Sequence, residues 1–332
     1  MTLQTRLTHR LNVKHPIVLA PMDLAANARL ANAVAAAGGL GLLGGGYGDL
    51  PWLQSELPQL DRTPGRRIGV GFITWSLARH PALLDEVLKY SPEAVFLSFG
   101  DPTPFARKIK DSGAALICQV GSVEHAKRAL DAGADILSAQ GTEGGGHALG
   151  TRSTLTLVPE LADLIRGAGS PALLLAGGGI ADARGLAAAL ALGADGALVG
   201  TRFWASTEAA ASRAAQELVL RIDGDSTVRQ TLYDTVREKH WPEDYNGRVL
   251  LNDFLHRWLD HPEEFIGRLS RLRDEYHAAA QNDDLSVVNV IVGEAIGMIH
   301  SIQTVRDIVE SMSEGAAHLL NSHFSLLPTP SH

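Results

Sequence analysis

Cysteine is nearly absent from this sequence: Cys118 stands alone among 332 residues, so no intrachain disulfide can form and no cysteine cluster can hold zinc. A reducing, cytoplasmic compartment fits that usage. Positive charge is also short, with 29 Lys plus Arg against 37 Asp plus Glu and a net charge of −8. General attraction to nucleic-acid phosphate or anionic lipid is therefore not expected. No apolar run approaches the ~20 residues of a membrane-spanning helix. Residues 1–13 alternate polar and apolar positions without the hydrophobic core and cleavage site of a secretion signal. The thirteen histidines show no metal-ligand spacing such as His-Glu-x-x-His, and no metal is expected.

Glycine is in excess, at 34 of 332 residues. Its placement is informative. Short apolar or β-branched runs at Pro16–Ala20, Leu40–Leu43, Ile68–Phe72, Ala94–Ser98, Ala115–Gln119, Ile136–Ala139, Ala172–Ala176 and Ala197–Val199 read as eight strands. Helical spacing follows at Asn27–Ala37, Pro81–Tyr90, Pro104–Asp111, Val123–Ala132, Leu157–Arg166 and Ala183–Leu192, several of these stretches ending at Gly. Consecutive β-then-α units with right-handed crossovers close naturally into a parallel (β/α)8 TIM barrel; an open doubly wound sheet is the rival. Nearly every strand exits into glycine, which in a barrel would line one rim with backbone that a flat ligand and its phosphate can approach.

The expected organisation is an α/β barrel over residues 1–208, a smaller helical substrate or lid domain over 209–285, and C-terminal helices over 286–332 packing back on either. Residues 209–280 are charged and aromatic, with helical spacing and no strand-like run. Trp241, Tyr245, Phe254, Trp258, Phe265 and Tyr276 are assigned to that domain's core, with Trp241 or Tyr245 able to reach the rim. Residues 327–332 are expected to fray.

Three glycine clusters bear on chemistry. Gly39-Leu40-Gly41-Leu42-Leu43-Gly44 has the spacing of a dinucleotide fingerprint but the wrong context, since a helix precedes it and the motif itself reads as strand. Ala176-Gly177-Gly178-Gly179-Ile180 and Val199-Gly200-Thr201-Arg202-Phe203 leave the seventh and eighth strands, where barrels commonly bind phosphate; the bland alternative is two tight turns. Gln140-Gly141-Thr142-Glu143-Gly144-Gly145-Gly146-His147 puts a carboxylate and an imidazole on the sixth exit. There His147 is suited to take a proton from a carbon acid or to bind an anion, and the alternative is an exposed loop histidine. His125 is expected to face solvent.

Pro16-Ile17-Val18-Leu19-Ala20-Pro21-Met22, the Gln140–His147 loop, Ala176–Ile180, Leu190-Ala191-Leu192-Gly193-Ala194-Asp195-Gly196 and Val199–Phe203 together resemble the nitronate monooxygenase family, formerly called 2-nitropropane dioxygenases. Gly293-Glu294-Ala295-Ile296-Gly297 is also similar to that family's C-terminal motif, so the likeness spans nearly the whole chain. The resemblance implies non-covalent FMN in the barrel and oxidation of alkyl nitronates, or nitroalkanes, with O2 to a carbonyl compound and nitrite. It implies His147 as the active-site histidine, which would remove the α-proton of a neutral nitroalkane or orient an already anionic nitronate. Ala20, Pro21 and Met22 would lie along the isoalloxazine, Gln119 and Gln140 at its polar edge or ribityl chain, and Gly178, Gly179, Gly200 and Thr201 at the phosphate. Gly71, Gly145, Gly146, Ala176 and Gly177 complete the implied cofactor-binding set, Gly71 standing where many relatives carry Asn. Asp23 would place a carboxylate near the flavin.

The same architecture serves FMN-dependent NAD(P)H:quinone and enoyl reductases, which form the leading alternative. A flavin-free lyase or isomerase of sugar phosphates and a flavin-binding protein without turnover are the others. A homodimer is an expectation of the same kind.

Overall fold

The computed structural model describes residues 3–322. Eight parallel strands close into a barrel: β1 (Ile17–Leu19), β2 (Leu40–Gly44), β3 (Arg67–Ile73), β4 (Ala94–Ser98), β5 (Ala115–Val120), β6 (Ile136–Gln140), β8 (Leu173–Gly177) and β9 (Gly196–Val199). Pairing of β1 with β9, Ile17 opposite Ala197, shuts the ring. The open doubly wound sheet is thereby excluded.

Strand periodicity sorts the side chains into two shells. Val18, Leu42, Phe96, Ile117, Leu175 and Leu198 fill the barrel interior, and Leu7 and Leu11 of the N-terminal helix Arg6–Leu11 pack against them. The alternate positions, among them Leu19, Leu43, Val70, Leu116 and Leu174, bury against the surrounding helices. Because both faces are covered, the strands read as continuous apolar runs, which is why they stood out in the sequence. The fingerprint-like glycine run is β2 itself. A side chain at Gly41 would collide with the carbonyl of Ala31 on the helix Ala28–Ala36, so that glycine serves helix-on-strand packing.

The region expected to be mainly helical contains a sheet. β10 (Thr227–Gln230) and β11 (Asn246–Leu250) pair antiparallel, and β11 pairs in turn with β7 (Gly146–Ala148), placing Gly247 opposite His147. These strands are short and carry Arg229, Gln230, Asn246 and Arg248, which leave too few apolar positions for a period-two signal. Around the sheet, Tyr233, Phe254, Trp258 and Phe265 form a separate aromatic core. Among the described residues of the C-terminal end, one α-helix, Val305–Asn321, stands where C-terminal helices were expected. It buries Val305, Ile308, Val309 and Met312 with the helices Ala28–Ala36 and Ala183–Ala191, following a short 3-10 turn at Glu294–Met298. The expected fraying at 327–332 lies outside the described residues, among which no helix is long and apolar enough to cross a membrane.

His15, just before β1, is 3% exposed and neither ring nitrogen has a partner among the described residues. Burial, with Lys14 adding to it, lowers its pKa from 6.5 to about 4, against a smaller opposing pull from Glu314. The unfolded chain therefore takes up this proton first as pH falls. The stability tied to neutral His15 is complete above pH 6.5 and is lost on descending toward about pH 4. His15→Leu is expected to show a shallower fall in Tm between pH 6.5 and pH 4 than the parent protein; parallel Tm–pH curves would refute this assignment.

Candidate active site

The exits of β1, β6, β8 and β9 and the segment around residue 293 enclose a narrow cleft at one end of the barrel. Of the residues singled out in the sequence, Ala20, Met22, Gln140, Gly145, Gly177, Gly178, Gly179, Gly200 and Thr201 line it. Glu143, Gly144, Ile180, Leu198, Ile291, Gly293 and Ala295 complete its walls.

Bare backbone dominates this cleft for two separate reasons. Gly178 and Gly179 hold φ of +105° and +73°, a left-handed conformation that glycine adopts freely. None of the backbone N–H groups of Gly178, Gly179 and Gly200 donates to a group among the described residues. A Cβ on Gly200 would stand 3.5 Å from Ala20 Cβ and 3.7 Å from Met22 Sδ, within the cleft. The second reason is close crossing. A Cβ on Gly145 would lie 2.6 Å from the carbonyl carbon of Val292 and 2.7 Å from the nitrogen of Gly293. Here two stretches of main chain touch, and Glu294 N donates to Glu143 O at 3.0 Å while Gly293 N donates to Thr201 Oγ1 at 3.0 Å.

Other residues of the implied set fall behind this lining. Gly71 does not border the cleft: the ring of Pro21 occupies the place its side chain would take, so the glycine is required by packing at the β1 exit. Ala176 is fully buried and packs outward with the helix-facing core. Gln119 Nε2 donates to Gln140 Oε1 at 2.7 Å, and Gln140 Nε2 donates to the carbonyl of His147 at 2.9 Å, so the two amides form a relay beneath the histidine. Gly146 opens β7 with φ +72°.

Glu143 has a structural task. Its carboxylate accepts from Thr154 N at 2.9 and 3.1 Å, satisfying an otherwise orphaned donor at the start of the helix Thr154–Gly167. The loop is held from its other side by two arginines of the small sheet. Arg229 donates to the carbonyls of Thr142 and Gly144 and to Asn246, while Arg248 donates to Thr142 O and pairs with Glu294 at 2.7 Å. Burial, reinforced by Arg248, lowers the Arg229 pKa to about 10, which leaves it charged at neutral pH.

His147 is no loose loop histidine. It sits in β7, its side chain 10% exposed, with Nε2 2.8 Å from Asp234 Oδ2. Trp241 stacks on the ring at 3.5 Å and 5°, and Gly247 presents bare backbone to it. Nδ1 has no hydrogen-bond partner among the described residues and reaches solvent. Beyond Trp241, whose Nε1 donates to Tyr47 Oη at 3.0 Å, Phe99, Trp75 and Tyr245 extend an aromatic wall. Burial pushes the Tyr47 phenol up to about 12. Burial also raises the Asp23 pKa, against the pull of Arg237 and Lys239.

Sequence reasoning missed Asp234, Tyr47 and the two arginines, which lie far from His147 in the chain and in no motif. Phe99 did leave a trace: it precedes Gly100 at a strand exit and holds φ +62°, a strained conformation for an aromatic residue. His125, expected to face solvent, is half-buried, and burial lowers its pKa.

A family model described as nitronate monooxygenase matches residues 4–74 and 76–315. Nitronate monooxygenase npaC of Metarhizium robertsii is 36% identical over 347 residues, covering 93% of this chain and 93% of its own. The nitronate monooxygenase of Neurospora crassa is 32% identical over 343 residues, covering 91% of this chain and 89% of its own. Among solved structures, FabK from Thermotoga maritima superposes with a TM-score of 0.81 at 29% identity, over 96% of this chain and 98% of that one. With the family model matching across barrel, small sheet and C-terminal segment alike, the chain belongs to the nitronate monooxygenase family and is an enzyme of the flavin oxidoreductase type.

Proposed function

We propose that the protein binds FMN in the glycine-lined cleft and oxidises alkyl nitronates with O2 to a carbonyl compound and nitrite, accepting neutral nitroalkanes after removal of the α-proton. Balanced overall, two nitronate anions and one O2 give two carbonyl molecules and two nitrite ions. The observation that carries this reading is the shared rim. Unengaged N–H donors at Gly178, Gly179 and Gly200 open into the cleft, and Gln140, which lines it, is bonded to the histidine whose Nδ1 is free.

The residues present fit the cofactor. Side-chain-free donors at 178, 179 and 200 suit a phosphate dianion, and a Cβ at Gly200 would fill the space it needs. Ala20 and Met22 supply an apolar border for a flat ring system. Bound there, FMN would supply electron acceptance and reactivity toward O2. The chain's own contribution is positional and protonic. His147 accepts the α-proton of a neutral nitroalkane, and the wall of Trp241, Phe99 and Tyr245 limits water around it. Residues 209–285 act as the cover that brings Trp241 and Tyr245 to this wall, and Phe99 reaches it from the β4 exit.

Anaerobic stopped-flow mixing of the purified, FMN-loaded protein with ethylnitronate is expected to bleach the flavin rapidly, with little response to NADH or NADPH. Bleaching by nicotinamide and not by nitronate would overturn the proposal in favour of a reductase. For His147→Asn, activity on neutral nitroethane is expected to fall about 10²- to 10⁴-fold, with a much smaller loss on preformed ethylnitronate, because proton removal is needed only for the former. Equal losses on the two substrates would remove His147 as the base. Gly178→Asp is expected to purify with little FMN through crowding and charge repulsion at the phosphate; undiminished flavin absorbance would place the phosphate elsewhere.

A further inference from the structure

We infer that Asp234 is the positioning residue that fixes the tautomer of His147, holding the proton on Nε2 and making Nδ1 the atom that takes the substrate proton; this rests on the proposed function above. A neutral imidazole carries one N–H donor and one acceptor nitrogen. Asp234 Oδ2 lies 2.8 Å from Nε2, and an ionised carboxylate only accepts, so the bond requires the hydrogen on Nε2. The two side chains are 10% and 9% exposed, which shields the bond from competing water. Nδ1 is then the lone-pair nitrogen, and it is the ring atom without a partner among the described residues and open to solvent.

The ring is held in other ways as well, which separates orientation from protonation. β7 pairs His147 with Gly247, and Trp241 stacks on the imidazole. With the ring plane set by these contacts, the residue that remains to choose between tautomers is Asp234, from the short helix Leu232–Val236, 87 positions further along the chain. In the step itself, the α-C–H bond of the nitroalkane breaks and its proton bonds to Nδ1. The C–H electron pair becomes the C=N double bond and the nitro oxygens take the negative charge. The imidazolium so formed has N–H on both nitrogens, with the Nε2–H still facing the Asp234 carboxylate. The proton on Nδ1 then leaves to solvent. A preformed nitronate needs none of this.

The test pairs a nitrogen spectrum with a kinetic split. In protein labelled with [15N]histidine, with His147 assigned by its loss in His147→Asn, the parent protein is expected to show protonated Nε2 and bare Nδ1. In Asp234→Asn, whose amide can donate to Nε2, the proton is expected to shift to Nδ1. Nitroethane turnover in that variant should then fall about 10²-fold more than ethylnitronate turnover, with an increased α-deuterium effect on kcat/KM and unchanged FMN content. Asp234→Glu should regain part of the split. Parallel losses on both compounds, or a parent His147 protonated on Nδ1, would overturn the inference. If Asp234→Asn fails to fold, the parent spectrum decides alone. If the parent turns over neither compound, the proposed function fails while the spectrum still judges Asp234.

Discussion

Main chain lying directly against main chain is the constraint on which this site depends. At the crossing of Gly145 with Gly293, each glycine stands where a Cβ on the other would strike backbone atoms: 2.6 Å to Gly145 N from one side, 2.6 Å to the Val292 carbonyl carbon from the other. A methyl group on either must push the loop after β6 away from the C-terminal segment. That contact also sets the hydrogen bonds from Glu294 to Glu143 and from Gly293 to Thr201, which tie the exits of β6 and β9 together. The width of the cleft follows from the crossing. Glycine is thus spent in two ways here, as a source of exposed N–H groups at 178, 179 and 200 and as the absence of bulk at 145 and 293.

Charge reinforces that geometry. Arg229 and Arg248 stand near each other, and their mutual repulsion adds to burial in lowering the Arg229 pKa to about 10. Their compensation is a set of loop carbonyls and Glu294, so a displaced loop would leave buried guanidinium groups unsatisfied. The penalty makes the loop between β6 and β7 stiff where its composition alone would make it floppy. Asp23, next to the cleft-lining Met22, presents the opposite problem for the proposed anionic ligands. Burial raises its pKa, so it holds its negative charge less firmly than an exposed carboxylate.

The barrel was legible because burial on both faces turns each strand into an apolar run, nearly all of them closed by glycine, and all eight runs coincide with observed strands to within a few residues. The cleft was legible for a related reason, since Gly177 to Gly179 and Gly200 follow strands directly. Function by contact across the chain was not. Asp234 sits in the stretch Leu232–Val236 with no motif around it, and only the pairing of β11 with β7 brings it to His147. The resemblance implies Gly71 as a cofactor contact, but a glycine in sequence does not reveal that a proline ring, that of Pro21, stands where its side chain would be. Arg229 and Arg248 hid β10 and β11 for a similar reason, because the polar residues that latch the loop also erase the alternation that marks a strand.

The histidine joins two parts of the molecule that contribute differently. Up to Gln140 the chain builds barrel, and its offering at the rim is backbone. Six residues later the same chain is a strand of the small sheet. That sheet supplies the arginines behind the loop, and the segment linking β10 to β11 supplies Asp234 at one nitrogen and Trp241 on the ring. His147 is therefore held by the small sheet, while most of the cleft wall belongs to the barrel strand exits. Their registration rests on the Gly145–Gly293 crossing and on the amide relay from Gln119 through Gln140 to the His147 carbonyl. Both are short links with little room for slack. A base must lie within hydrogen-bond reach of the proton it takes, so in the proposed reaction the placement these links give the imidazole matters as much as its identity.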